Sequence, residues 1–391
     1  MGIVLATFFS DSSHEMATAV LPLYLASVGL GPAALGLIEG VADFLVSLSK
    51  LGGGVLGHHV RRKQPWAALG YLVTTLGTTG LGLVQSTGAL VALRGLAWTG
   101  RGFRSPLRDY LLADAVEPTH FGRAYGLERA GDMLGAVAGP LMATLLVGLG
   151  VEFQRVILLA VVPGLLATSA MAFLPRERAL PPSSAPIPGA MAPSRAAFPR
   201  RFWLFLGGVT LFGLGDFSRT FLVWLAARAL GEDGPPAGGT VSMAVLLYTV
   251  HNVVAALAAY PAGHLGDRRS KLRVLVAGYG IGVVTNLLLA ATGTQVGWLV
   301  LAIVLSGVYI SVEETLEKAV AADLLPPELR SLGFGILACA NAVGDMVSSV
   351  YVGLLLEQGA PFPAFALAAT CGALGVGWMI VALWRPGTRR D

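Results

Sequence analysis

Four arginines, Arg94, Arg101, Arg104 and Arg108, recur within one largely apolar stretch. On a helix turning about 100° per residue they fall within an arc of about 80°, a single cationic stripe. Carboxylates also recur one helical turn apart: Asp11 with Glu15, and Glu39 with Asp43, each pair sharing a face. Carboxylates and guanidinium groups brought together in a dry setting can do proton chemistry, because a carboxylate that takes up a proton releases its arginine. The same groups can instead form a permanent salt-bridge lattice that locks helices together. Counting about 1.5 Å per residue, Glu15 reaches the depth of Arg101, Asp11 that of Arg104 or Arg108, and Glu39 that of Arg94. His14, beside Glu15, adds a group that titrates near neutral pH. Asp11, His14 and Glu15 are metal-ligand types, but no second histidine stands close in sequence and no metal centre is expected.

The elements that must position these residues are strongly apolar. Hydrophobic residues make up 54% of the 391-residue chain and charged residues only 13%, with a mean hydropathy of +0.70. A soluble domain carries about 25% charged residues, so this chain lacks the surface that water demands. Its 51 glycines, many inside apolar runs, suit closely packed membrane helices. Roughly twelve segments of spanning length are predicted, at 4–29, 33–56, 65–85, 88–115, 124–149, 154–174, 202–229, 239–262, 272–292, 296–324, 331–357 and 362–384. The first, interrupted by charge, reads as a span rather than a cleavable signal. Cys339 and Cys371 lie in apolar segments and read as small buried hydrophobes, with neither zinc spacing nor a disulfide framework.

Arg61, Arg62, Lys63, Arg268, Arg269, Lys271 and Arg273 fall in the second and eighth loops, whereas the opposite loops Gly29–Pro32, Gln85–Gly88 and Thr292–Gln295 hold no cation. The positive-inside rule then places both termini in the cytoplasm. Residues 175–201, rich in Pro, Ser and Ala, read as a cytoplasmic linker between an amino-terminal bundle (1–174) and a carboxy-terminal one (202–391).

The two halves repeat each other. Gly57-His58-His59-Val60-Arg61-Arg62-Lys63 aligns with Gly266-Asp267-Arg268-Arg269-Ser270-Lys271 after one gap; Ala113-Asp114, Pro118 and Arg123-x-x-Gly126 match Ala322-Asp323, Pro327 and Arg330-x-x-Gly333. Parallel repeats joined by a linker are one architecture of secondary transporters.

Several motifs resemble the major facilitator superfamily across the whole chain. Gly263-x-x-x-Asp267-Arg268 is similar to that family's loop signature, with His58 where the first copy would carry aspartate; Arg94 resembles its fourth-span arginine. Gly131-x-x-x-Gly135-x-x-x-Gly139-Pro140 resembles the motif of the drug/proton antiporter branch. The resemblance implies an all-α membrane fold of twelve transmembrane helices in two pseudo-symmetric six-helix bundles. It also implies a gating role for the basic loops, among them Arg61, Arg62, Asp267 and Arg268.

Other in-span polar residues extend the candidate site. Asp216 and Arg219 are spaced to pair with each other. Together with His14, Asp216 and Arg219, the residues His251, Asn252, Asn341, Asp345 and Glu313 could line a substrate cavity, or simply bond helix to helix. Glu314 and Lys318 make a favourable i,i+4 pair, leaving Glu313 and Glu317 as acceptors for arginines across the halves. Glu128, Arg129 and Asp132 read as a cytoplasmic gate. Phe8, Phe9, Tyr24, Phe103, Phe217, Trp224 and Tyr248 offer aromatic surface to an apolar substrate or to lipid.

No phosphate-binding loop with a Walker lysine occurs, so ATP is not the expected energy source; coupling to an ion gradient, a proton gradient foremost, or plain facilitated diffusion remains, and no cofactor is expected. No nucleophile–base spacing marks an enzyme. The expected partners are a small-molecule substrate and the lipid bilayer, without nucleic acid, for a monomer of a bacterial-type inner membrane. Proton-coupled export of small amphipathic organic molecules is the leading expectation. Import or exchange of an anionic metabolite, metal chelate or lipid-like anion stands beside it. A non-transporting membrane sensor or assembly partner is the reading from another class.

Overall fold

The computed structural model describes residues 1–30, 32–177, 198–217, 220–229, 243–292 and 295–383. Among them there is no strand, as hydrocarbon requires: a segment crossing lipid must satisfy its backbone internally, and an isolated segment does so only as a helix. The first half comprises α1 (Gly2–Ser27), α2 (Pro32–His59), α3 (Gln64–Gly80), α4 (Thr87–Asp114), α5 (Phe121–Gly148), α6 (Phe153–Leu159) and α7 (Val161–Phe173). The second comprises α8 (Arg200–Gly213), α9 (Thr220–Ala229), α10 (Met243–Arg268), α11 (Lys271–Thr292), α12 (Val296–Leu324), α13 (Pro327–Glu357) and α14 (Pro361–Leu383). On length and composition alone α5, the α6–α7 unit, α11, α12, α13 and α14 are able to cross a bilayer. α4 spans a comparable 28 residues but is charged by its arginines.

Two of the expected continuous segments are interrupted. The sixth is divided at Ala160 into α6 and α7, and the seventh stops at Gly213 before resuming as α9. Side chains of neighbouring helices satisfy the carbonyls that the second break frees. Tyr351 Oη donates to Leu214 O (2.8 Å), Asn286 Nδ2 to Gly215 O (3.0 Å) and Ser348 Oγ to Asp216 O (2.8 Å). A break in lipid is tolerated on that condition. Pro106, by contrast, does not interrupt α4. Of the expected linker, residues 178–197 lie outside the described residues, as does the basic tail at 384–391. Glu177, just before the linker, accepts the first amides of α3, Lys63 N at 2.9 Å and Gln64 N at 3.2 Å.

The repeat read from the loops reappears in the packing. Within the first half α1 meets α5 and α7, α2 meets α4, and α3 meets α4 and α7. The second half repeats this pattern: α8 meets α13 and α14, α10 meets α12, and α11 meets α12 and α14. Both α5 and α13, which correspond, are followed by a glycine with positive φ, Gly150 (84°) and Gly359 (71°). The next amide then bonds back five residues, Val151 N to Leu146 O and Ala360 N to Leu355 O.

The halves join along two equivalent seams, α5 against α10 and α2 against α13. Both lie at the end carrying the α2–α3 and α10–α11 loops, here the basic end. Glycine makes both approaches possible. A Cβ on Gly263 would stand 1.9 Å from Gly122 O, and one on Gly126 2.4 Å from Ala259 O. On the other seam a Cβ on Gly54 would reach Gly335 Cα at 3.0 Å, and one on Gly57 would strike Ser331 Oγ. Among the described residues the molecule is therefore closed at its basic end. Gly263→Val should prevent that closure: overpacking of this kind costs about 1–3 kcal/mol. A cysteine placed at Ala259, buried in the wild type, should then react faster with a water-soluble maleimide; an unchanged rate would contradict the seam.

Candidate functional site

The glycine stripe of α5 brings the charges of the first half together. Gly131 packs on Val4, Gly135 on the backbone of Phe8 and Ser12, and Gly139 on Ser12 O and Met16 N, so α1 lies directly on α5. That approach sets Asp11 beside Asp132, near enough for each carboxyl to act on the charge of the other. Arg101 of α4 pairs with Asp11 at 2.8 Å. On the far side Arg129 pairs with Asp132 and also with Glu314 of α12. The chain Arg101–Asp11–Asp132–Arg129–Glu314 thus runs from the core of one half across to the other.

A second cluster crosses nearby. Arg108 pairs with Glu128 (2.9 Å) and Asp109 (3.0 Å), and Lys318 of α12 approaches Asp109 at 3.6 Å and Glu128 at 4.0 Å. Thr7 Oγ1 donates to Glu128 Oε1 at 3.2 Å. Glu314 and Lys318 are not a pair along their own helix, as the sequence suggested; each instead faces an ion of opposite sign in the first half. The seam brings each of them opposite charge from two sides, Arg129 to Glu314 and Asp109 with Glu128 to Lys318, against an i,i+4 pair worth a few tenths of a kcal/mol.

The depth count erred by about one turn. Asp11, not Glu15, is the carboxylate bonded to Arg101, and Arg108 finds its acids on α4 and α5 rather than at Asp11. Glu15 still contributes to the field at Arg101. Arg104 is buried; it donates to Ser10 Oγ at 2.8 Å and its guanidinium lies 3.6 Å from the Tyr71 ring centroid. Its Nε and Nη1 have no hydrogen-bond partner. The ring face supplies part of what a carboxylate would, about 2 kcal/mol for a desolvated cation–π contact. Arg94 donates to Thr18 Oγ1 at 3.2 Å and lies 5.4 Å from Trp98, which also meets His14 edge-on at 4.9 Å. Glu39 and Asp43 lie on α2, but their side chains fall outside the described residues.

In the second half Asp216 accepts from Tyr309 Oη at 2.9 Å; its expected partner Arg219 lies outside the described residues. His251 lies between Asn252 Oδ1 (3.1 Å) and Ser306 Oγ (3.2 Å). Asn341 donates to Glu317 at 2.6 Å, Glu313 is buried, and Asp345 is exposed on α13. Lys50 went unnoticed in the sequence. It sits half-buried on α2, and its nearest charges include Asp345 and Glu314 of the second half. A lone lysine inside an apolar segment was the available signal. Cys339 and Cys371 are partly exposed, not buried.

Arg61, Arg62 and Arg268 do not hold the basic end shut. All three are exposed, because the chain leaves the bundle at these loops and water solvates them at no cost. The closing contacts belong to their neighbours. Asp267 accepts from Gly122 N (2.8 Å), Arg123 N (2.9 Å) and Arg123 Nε (3.2 Å), capping α5 from the opposite half. Lys271 reaches Pro118 O (2.8 Å) and Asp323 (2.9 Å). At the equivalent place in the first half, His58 Nδ1 meets Glu328 O at 3.0 Å, and among the described residues no carboxylate from α2 caps α13. Asp267→Ala should therefore weaken closure by about 0.5–2 kcal/mol, the worth of an N-cap. Single-molecule distances across the basic end should show a larger open population, and no change would refute the latch.

A sequence model described as the Major Facilitator Superfamily matches residues 3–245 and again 220–391. An uncharacterized MFS-type transporter of Methanocaldococcus jannaschii is 27% identical over 350 residues, covering 89% of this chain and 86% of its own. Among solved structures, the human organic anion transporter MFSD10 superposes with a TM-score of 0.77 at 14% identity, covering 97% of this chain and 98% of that one. The Escherichia coli fucose:proton symporter superposes with a TM-score of 0.75 at 15% identity, covering 96% of each. With both halves matched, the same helix pairings in each and glycine seams between them, this membrane-embedded chain belongs to the Major Facilitator Superfamily of transporters.

Proposed function

We propose that this transporter is proton-coupled and exports small amphipathic organic molecules by alternating access, as a monomer with both termini in the cytoplasm of a bacterial-type inner membrane. The observation that carries the reading is the Asp11–Asp132 carboxyl pair, set between Arg101 and Arg129. Two neighbouring carboxyl groups hold one proton between them more readily than two negative charges. Gaining or losing that proton changes the counter-charge available to Arg129, and Arg129 divides its contacts between Asp132 and Glu314. Protonation inside one half is thus relayed to an ion pair between the halves. Export draws support from the Gly131–Gly135–Gly139–Pro140 pattern, and the basic loops argue for cytoplasmic termini.

A second reading, import or exchange of an organic anion, is favoured by Arg104, a buried cation without a carboxylate at ion-pair distance among the described residues. The human organic anion transporter that shares the fold is consistent with it.

Purified protein in liposomes, with a pH gradient imposed and either a fluorescent lipophilic cation or a fluorescent organic anion inside, separates the two. On the first reading cation flux follows the gradient, and Asp11→Asn or Asp132→Asn lowers its gradient dependence about tenfold, within the usual range of coupling free energies. On the second, anion flux collapses in Arg104→Gln at every pH. Flux indifferent to the gradient and to both carboxyls would overturn proton coupling.

A further inference from the structure

The second half holds a buried carboxyl that the mechanism above does not use. Glu317 lies on α12 about 10 Å from the helix end at the basic side, counting about 1.5 Å per residue, and is 2% exposed. Tyr279 Oη of α11 donates to its Oε1, and Asn341 Nδ2 of α13 donates to its Oε2 at 2.6 Å. Tyr279 is itself fully buried, with the Phe212 ring stacked on it at 3.6 Å. Both donors are neutral. Among the described residues no cation stands within ion-pair distance of Glu317.

The surrounding charges do not fill that role. On its own helix Glu313 and Glu314 are acidic, and Asp216, beyond Tyr279, adds a further negative field. Arg129 on α5 is engaged by Asp132 and Glu314; Lys318, the next residue, faces Asp109 and Glu128. On α13 Asp345 lies one turn beyond Asn341, towards Lys50. α10 presents His251 to Ser306, about three turns away along α12. A carboxylate in low dielectric, ringed by other acids and without a counter-ion, is neutralised by taking up a proton.

We propose that Glu317 is a second proton-binding site, housed in the carboxy-terminal half and separate from the Asp11–Asp132 pair. As the acid it carries one hydroxyl and accepts through one oxygen, so it can no longer take both donated bonds as an ionised acceptor. One of the two ties runs to Asn341 on α13, the helix that forms the glycine seam with α2. Each half then holds one proton site adjoining one seam. The part of Glu317 in transport, as distinct from its protonation, rests on the proton-coupled reading.

Infrared difference spectra between acidic and alkaline buffer, taken on the full chain in phosphatidylcholine nanodiscs, test it without a substrate. Wild type should show a carboxylic-acid carbonyl band that Glu317→Gln loses and Asp11→Asn keeps. Asn341→Leu, which spares the carboxyl, should shift the same band by removing its hydrogen-bond partner. A spectrum unchanged in Glu317→Gln, or unshifted in Asn341→Leu should the first variant not fold, overturns the second site. A separate band lost in Asp11→Asn reports on the first pair, so the absence of that band alone sinks the earlier reading and leaves this one standing.

Discussion

An ion placed in hydrocarbon must find a counter-charge, a proton or water, and most of this molecule follows from how its in-span ions meet that demand. The arginine stripe of α4 faces inward because it cannot face lipid. Once inward, Arg101 and Arg108 require carboxylates, and α1 and α5 supply them. The ions of α12 are satisfied from the first half rather than locally. Pairing across the seam is thus the means by which the interior charges of two separately packed bundles hold one conformation.

Glycine makes that pairing geometrically possible. Asp11 reaches Asp132 because Gly135 lets α1 rest on α5 without an intervening methyl group, and Asp267 reaches the first amides of α5 because Gly263 meets Gly122 backbone to backbone. Electrostatics and packing are therefore a single design here. The motif Gly263-x-x-x-Asp267 reads as a compact statement of it: the glycine sets the distance and the aspartate, one turn later, uses it.

Composition, loop cations and the internal repeat were enough to read the spans, the two bundles and the family resemblance. Pairings were less legible. Hydropathy gives the depth of a residue to within about a turn, and a turn separates Asp11 from Glu15, so the partner of Arg101 was misassigned. Glu314 and Lys318 looked self-sufficient because a sequence displays neighbours along a helix and hides those across a seam. The break between α8 and α9 was invisible for a related reason: the groups that satisfy it, Asn286, Ser348 and Tyr351, lie far along the chain.

The missing aspartate at position 58 gives the two seams different physical characters. The α5–α10 seam is fastened by ions at its edge, Asp267 to Arg123 and Lys271 to Pro118 O, whereas the α2–α13 seam rests on backbone contact at Gly54 and Gly335 with one histidine at its rim. Dissolved salt screens the first, over a Debye length of about 8 Å at physiological ionic strength, and leaves the second nearly untouched. Opening is then a lopsided event, a door hinged on its glycine side and unfastened on its ionic side, with the ionic strength of the adjoining solution setting how firmly it is shut.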